Sequence, residues 1–286
     1  MAGTGPDLPD LIEEARAPVE DWDDAYANRA HVPGAQALID AWPRRARAFR
    51  DSLGGRARLD LPYGPGARQR FDLFLPEGAP RGLAVFVHGG YWMAFAKGDW
   101  SHLAAGPLAR GWAVAVPGYT LAPEAPVSAM TREIARFLGT AAERVEGPIA
   151  LSGHSAGGHL AARMLCEDAA VPEAARWRIA RALSISGVHD LRPIRRTAMN
   201  ETLGLSAEEA AAESPALRAP IEGARLHAWV GGDERPEFLR QARLLADIWV
   251  GCGAGTRLTV EPGRNHFDVV EGLTDPDSPL TAALLD

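Results

Sequence analysis

Gly153-His154-Ser155-Ala156-Gly157 stands at the end of the apolar run Pro148-Ile149-Ala150-Leu151-Ser152, and a helical segment, Ala156 to Cys166, follows at once. A serine between small residues, where a strand stops and a helix begins, fits the G-x-S-x-G nucleophile elbow. A turn this sharp forces the serine into a strained backbone conformation, and only residues with little side chain fit beside it. The strain would lift the Ser155 hydroxyl clear of the sheet, within reach of a base and a substrate.

Working outward, short continuous apolar runs recur on both sides of the elbow. Leu83–Val87, Trp112–Val116, Ile149–Leu151, Ala182–Ile185 and Leu226–Val230 suit strands buried on both faces of a parallel sheet. Helical stripes lie between them. Met130, Ile134, Phe137, Leu138, Ala141 and Val145 share one face, and Phe238, Ala242, Leu245 and Trp249 do likewise. A last strand, Thr256–Val260, precedes a C-terminal helical stretch. Upstream, Arg58–Leu61 and Arg70–Leu75 alternate with period two around Gly64-Pro65-Gly66, which predicts an antiparallel hairpin with one solvated face. The pattern is that of an α/β domain: a mostly parallel central sheet with an antiparallel N-terminal hairpin and helices on both faces.

Residues 1–55 read as a polar, mostly helical extension anchored by Trp22, Tyr26, Leu38, Trp42 and Phe49, with Pro43 beginning or breaking a helix. The α/β domain proper is expected over 56–286. One connection within it, 188–225, is too long for a simple crossover and is expected to form a lid or binding loop. It carries a helix opened by Ser206 and Glu209 in a capping box.

Bulk properties exclude several classes. The 286 residues carry a net charge of −7 without a basic stripe, so nucleic acid and anionic membranes are not expected as partners. Hydrophobic residues at 47% and charged residues at 23% allow a sizeable core without staples. The two cysteines, Cys166 and Cys252, have neither disulfide-framework nor metal spacing. Met1 to Glu14 is acidic and Pro-rich, unlike a signal peptide, and no apolar stretch has membrane length, so a cytoplasmic setting is expected. His154 and His159 do not fit the His-Glu-x-x-His pattern, and no phosphate-cradling loop of the Gly-x-x-x-x-Gly-Lys type occurs. No metal and no cofactor are therefore expected. The oligomeric state is open, a homodimer among the alternatives.

A serine hydroxyl needs a histidine base and a carboxylate to orient that base. Asp233 follows the strand Leu226–Val230 through Gly231-Gly232, where small residues let the chain turn sharply. Glu234 and Glu237 are rival carboxylates, but position after the strand favours Asp233. His266 follows the last strand in the loop Pro262-Gly263-Arg264-Asn265, with Phe267 as a core anchor. The order Ser155, Asp233, His266 is that of a nucleophile, orienter and base on one sheet edge. His88-Gly89-Gly90-Tyr91-Trp92 follows the strand Leu83–Val87. Its Gly89 and Gly90 N–H groups, with that of Ala156, are candidate oxyanion donors. His88 would brace that loop, and Tyr91 and Trp92 would line a substrate pocket. His102, His189 and His227 have no partner pattern.

These segments, with Ser186-Gly187-Val188-His189-Asp190-Leu191 and Asn265-His266-Phe267-Asp268, resemble the kynurenine formamidase-like branch of the α/β-hydrolases, from about Asp21 to the end of the chain. Tyr119-Thr120-Leu121-Ala122-Pro123-Glu124 is also similar to the hormone-sensitive-lipase-like esterases. Tyr91 at their third glycine position and Thr120 at a common arginine position depart from that second pattern. The resemblance implies an α/β-hydrolase fold, Ser155 as nucleophile, Asp233 as orienter, His266 as base, and oxyanion donors near Gly89, Gly90 and Ala156. It implies hydrolysis of N-formylkynurenine or a similar small acyl substrate. A general carboxylesterase is the alternative, and a catalytically silent binding protein on the same fold is the rival from another class.

Overall fold

The computed structural model describes residues 18–286, so the acidic amino-terminal stretch Met1 to Glu14 lies outside the described residues. Eight strands form one sheet: β1 (Ala57–Pro62), β2 (Arg70–Phe74), β3 (Leu83–Val87), β4 (Ala113–Pro117), β5 (Ile149–His154), β6 (Ile179–Ile185), β7 (Arg225–Gly231) and β8 (Gly255–Glu261). Their spatial order is β1-β2-β4-β3-β5-β6-β7-β8. β2 runs antiparallel to both neighbours, and β4 to β8 and β3 are mutually parallel. This is the mostly parallel sheet with an antiparallel N-terminal hairpin that the apolar runs predict, with each strand near its expected position.

Period-two alternation divides the core into two layers. Leu83, Val85 and Val87 of β3 point to one layer, Ala84 and Phe86 to the other. The first layer packs under α3 (Val127–Ala142), α4 (Ala156–Arg163) and α5 (Pro236–Gly251), through Met130, Phe137, Leu160 and Phe238. The second is covered by α2 (Ala35–Leu53) and α6 (Pro279–Leu285), through Ile39, Trp42, Leu280 and Leu284. A short α1 (Trp22–Tyr26) precedes them, its first turn capped by the Asp21 carboxylate accepting the Asp24 N–H at 3.0 Å.

Three local expectations need correction. The hairpin does not have one solvated face: β1 is mostly exposed, whereas β2 is buried from Phe71 to Phe74 because β4 pairs along its other edge. Even Asp72 is buried there, held by the Lys97 ammonium at 2.6 Å. Pro43 neither begins nor breaks a helix but lies inside α2. It sits on the exposed side, where water can reach the carbonyl left without a donor, while Ile39, Trp42 and Ala46 bury the opposite side. Finally, the capping box at Ser206 is half formed. Ser206 Oγ accepts the Glu209 N–H at 3.1 Å, but the Glu209 carboxylate reaches across to the Ser128 N–H at 3.0 Å.

That second contact shows how the 188–225 excursion is held. Leu191, Ile194, Leu203, Leu205 and Ala210 enter the first core layer. The Glu213 carboxylate accepts from Thr131 at 2.6 Å and from Arg163 at 3.1 Å, tying the excursion to α3 and α4.

Phe137 is fully buried on α3, with Phe71 and Tyr63 edge-on at 5.2 and 5.7 Å. Phe137→Ala is expected to lower the unfolding free energy by about 3–5 kcal/mol. Trp177→Ala, at a side chain 76% exposed, should change it by less than about 0.5 kcal/mol. Denaturant unfolding of the two variants measures both.

Candidate active site

Ser155 occupies the joint between β5 and α4 with φ 54° and ψ −119°, a left-handed conformation that non-glycine residues rarely adopt. Its N–H donates to the Ile185 carbonyl at 2.8 Å, which ties the turn to the end of β6. The small neighbours are a steric demand. A Cβ on Gly157 would stand 2.0 Å from the Val87 oxygen, and one on Gly153 would stand 2.1 Å from the Gly157 oxygen. The elbow therefore presses against the end of β3, which brings the loop after β3 to the serine. A Cβ on Gly89 would lie 3.1 Å from that of Ser155.

That loop carries the candidate oxyanion donors. Gly90 has φ 110°, and a Cβ there would strike the Ala94 oxygen at 2.4 Å. Tyr91, Trp92 and Phe95 also have positive φ, so the segment is strained throughout. Among the described residues the N–H groups of Gly89, Gly90 and Tyr91 donate to no backbone carbonyl. Ala156 opens α4, and its N–H has no intrahelical acceptor. His88 braces the loop as expected: its Nδ1 lies 2.8 Å from the Gly89 oxygen, and its ring stacks on Tyr119 at 4.5 Å.

Behind the last strand, Asp268 accepts the Asn265 N–H at 2.7 Å and its side-chain amide at 2.8 Å, and Phe267 buries in the second core layer. The loop so pinned carries His266, which is 4% exposed. Its Nδ1 lies 2.6 Å from Glu234 Oε2.

The carboxylate on the histidine is thus Glu234, and the expectation of Asp233 is corrected. Gly232 and Asp233 spend their N–H groups on the Glu261 and Arg264 carbonyls, at 2.7 and 2.9 Å. This pins the turn against the histidine loop with the Asp233 side chain exposed to solvent. Glu234, one residue on, is buried and folds back so that Oε1 accepts the Gly231 N–H at 2.8 Å. Its extra methylene supplies the reach. The Ser186 hydroxyl also donates to Oε1, from a residue with φ 50° at the end of β6. Ser186 was not singled out as a site residue. Its signal was the Ser-Gly pair directly after an apolar strand, the same kind of joint as the elbow.

Trp92 is a second correction. It has no exposed surface, belongs to the first core layer, and donates its indole N–H to His159 Nδ1 at 3.3 Å. It packs beneath the loop rather than lining a pocket. Tyr91 is half-buried, and its hydroxyl donates to the Tyr26 carbonyl at 2.6 Å while accepting from Asn28 at 3.3 Å.

His154 is wholly desolvated, and its ring lies 4.6 Å from that of His266. Burial, and then the neighbouring His266, hold its pKa well below the usual imidazole range. Burial likewise lowers His88 and His159 to about 4. Among the described residues no group of three or more His, Cys, Asp or Glu side chains could hold a metal, and no helix is long and apolar enough to cross a membrane.

Known proteins share this arrangement's fold. The family described as alpha/beta hydrolase fold matches residues 84–266. A kynurenine formamidase of Danio rerio is 29% identical over 266 residues, covering 90% of this chain and 87% of that protein. That of Salmo salar is 30% identical over 258 residues, covering 84% and 83%. Among solved structures, a Silicibacter sp. TM1040 protein named "putative thioesterase" superimposes with a TM-score of 0.88 at 49% identity, covering 93% of this chain and 99% of that one.

Two outcomes are expected from this geometry. Glu234→Gln should abolish the low-field proton resonance of the His266 Nδ1–H in NMR spectra, and Asp233→Asn should leave it in place. His88 and His159 have folded pKa values near 4 against an ordinary 6.5, so the unfolded chain binds more protons between those values. Their contribution is present above pH 6.5 and is lost as pH falls toward 4, on the order of 3 kcal/mol for each. Denaturant unfolding across that window should show stability dropping with acidification.

Proposed function

The chain belongs to the α/β-hydrolase fold family, and on that premise we propose that it hydrolyses a small acyl amide or ester through an acyl-enzyme on Ser155, N-formylkynurenine being the substrate class favoured by its relatives. The observation that carries this reading is the buried Glu234–His266 pair, whose imidazole lies 4.6 Å from the ring of His154, the residue before an elbow serine held at positive φ.

On this reading each group has a role. Glu234 accepts from His266 Nδ1 and so holds that proton there, which leaves Nε2 as the free base. His266 Nε2 takes the Ser155 hydroxyl proton as Oγ bonds to the substrate carbonyl carbon. The electron pair displaced onto the carbonyl oxygen meets the Ala156 N–H and the N–H groups of the Gly89–Tyr91 loop. Collapse of this intermediate breaks the bond to the amine or alkoxide, which leaves with the proton from His266. Water, deprotonated by the same imidazole, then releases the acid and restores Ser155.

A second reading, an ester or thioester hydrolase, is favoured by the name of the Silicibacter structure at 49% identity. Leaving groups separate the two. Turnover of N-formylkynurenine should exceed that of p-nitrophenyl acetate and of short acyl-CoA thioesters; the reverse ranking would reject the formamidase reading and keep the hydrolase. Ser155→Ala and His266→Ala should each cost about 10⁴-fold or more in kcat. Glu234→Ala should cost far more than Asp233→Ala, which should stay near wild type. Covalent labelling by a fluorophosphonate should disappear in Ser155→Ala; equal labelling would rule out Ser155 as the nucleophile.

A further inference from the structure

The amino ends of β6, β7 and β8 carry Arg181, Arg225 and Arg257. Register places them together. Ala182 pairs with Leu226, so Arg181 lies beside Arg225, and His227 pairs with Arg257. With alternating side chains, all three arginines and His227 share the sheet face that α6 flanks. Arg225 stands opposite Gly255, whose missing side chain opens the surface. Together with Trp229 and Asp286 they line a cavity of about 680 Å³.

The charge in this cavity is unbalanced. Among the described residues none of the three guanidinium groups forms an ion pair or a hydrogen bond. The nearby acids are engaged elsewhere: Asp286 accepts from Arg110 at 2.6 Å, and Glu261 accepts the Trp229 indole N–H at 2.7 Å. His227 adds no positive charge. Burial, then Arg257 and Arg181, lower its pKa to about 4, and its Nε2 lies 2.8 Å from the Thr259 hydroxyl. Arg181 is half-buried, and its pKa is pulled down by burial and then by Arg225, with Asp286 acting the other way. Arg225 and Arg257 are exposed beside the half-buried Arg181, and three cations set on neighbouring strands repel one another. An anion binding among them would relieve that repulsion.

Guanidinium forks match the oxygens of a phosphoryl group in geometry as well as charge. A carboxylate offers two oxygens and one charge, too few to engage three arginines. The cavity volume exceeds what one phosphate needs and lies within the range of small-molecule sites. The His227 and Trp229 rings, 5.3 Å apart, give it an aromatic floor. Seven residues of β7 separate this end of the sheet from the Glu234 turn, roughly 20 Å of strand. The groove is therefore distinct from the catalytic edge, and nothing in the acyl-transfer reading uses it.

We propose that this groove is a binding site for a phosphoryl-bearing anion of diphosphate size. Isothermal titration of the full chain at low ionic strength, with inorganic pyrophosphate, ADP and adenosine, tests it. Pyrophosphate and ADP should bind saturably and adenosine should not. Binding should weaken with added salt. The variant R181Q/R225Q/R257Q should bind both at least tenfold more weakly, while thermal melting shows it folded and ester turnover stays at the wild-type level. ADP binding tighter than pyrophosphate, with the margin lost in Trp229→Phe, would identify a nucleotide; equal affinities would identify free polyphosphate. Absence of saturable binding by either anion, or undiminished binding by the folded triple variant, would overturn the proposal. If the triple variant does not fold, R257Q alone, at an exposed edge position, should still weaken pyrophosphate binding measurably; unchanged affinity there would count equally against it.

Discussion

The left-handed backbone at Ser155 is the constraint on which the rest of the site depends. Holding a serine at φ 54° costs about 1–3 kcal/mol, and nothing local to the residue repays it. The surrounding sheet does. The Ser155 N–H is taken by Ile185 at the end of β6, and Gly157 fits against the Val87 carbonyl at the end of β3. Both contacts require β5 to lie between β3 and β6 in parallel register, with Val87 opposite Gly153 and His154 opposite Ile185. The buried apolar strands make that register, and the register makes the elbow. Apart from Asp60, every non-glycine residue with positive φ among the described residues lies on this edge of the sheet: Tyr91, Trp92, Phe95, Ser155 and Ser186.

The carboxylate side of the site is governed by desolvation. A fully buried carboxylate is costly unless its oxygens are occupied. Glu234 meets that condition through three partners: the Gly231 N–H, the Ser186 hydroxyl and His266 Nδ1. Ser186 stands at the end of β6 as Ser155 stands at the end of β5, each at positive φ. One hydroxyl is left without a described partner and the other is committed to the carboxylate. Adjacent strands thus use the same backbone device for the elbow serine and for the hydroxyl that supports the Glu234–His266 pair.

The segment around α1 is a brace rather than a loose extension. The Tyr26 hydroxyl donates to Glu237 at 2.8 Å, and the Tyr26 carbonyl accepts from Tyr91 at 2.6 Å. Asp24 pairs with Arg235, the residue after Glu234, and with His31 at 2.6 Å. Residues around α1 therefore touch both the loop after β3 and the Glu234 turn. The excursion over 188–225 is tied just as closely through Gln241 of α5, whose side-chain oxygen accepts the His189 and Asp190 N–H groups at 2.7 and 2.8 Å.

Periodicity and small-residue turns were enough to place all eight strands, the elbow serine, the loop glycines and His266, because each depends on local backbone geometry and on which residues avoid water. Pattern alone could not choose between Asp233 and Glu234. Neighbouring residues in a turn point in different directions, and which one faces the histidine depends on where the β8 loop captures the Gly232 and Asp233 N–H groups. Trp92 was misplaced for a related reason. An aromatic beside two glycines can face outward or inward, and the space above His159, built by α4 and the 188–225 excursion, drew it into the core. Pro43 stayed within a helix because the packing of Ile39, Trp42 and Ala46 outweighed one lost hydrogen bond. The sequence by itself determined the strands, the strained serine and the place of His266 after the last strand, whose signals are local. The tertiary structure decided the carboxylate, the buried tryptophan and the brace, since long-range contacts determine which way those side chains turn.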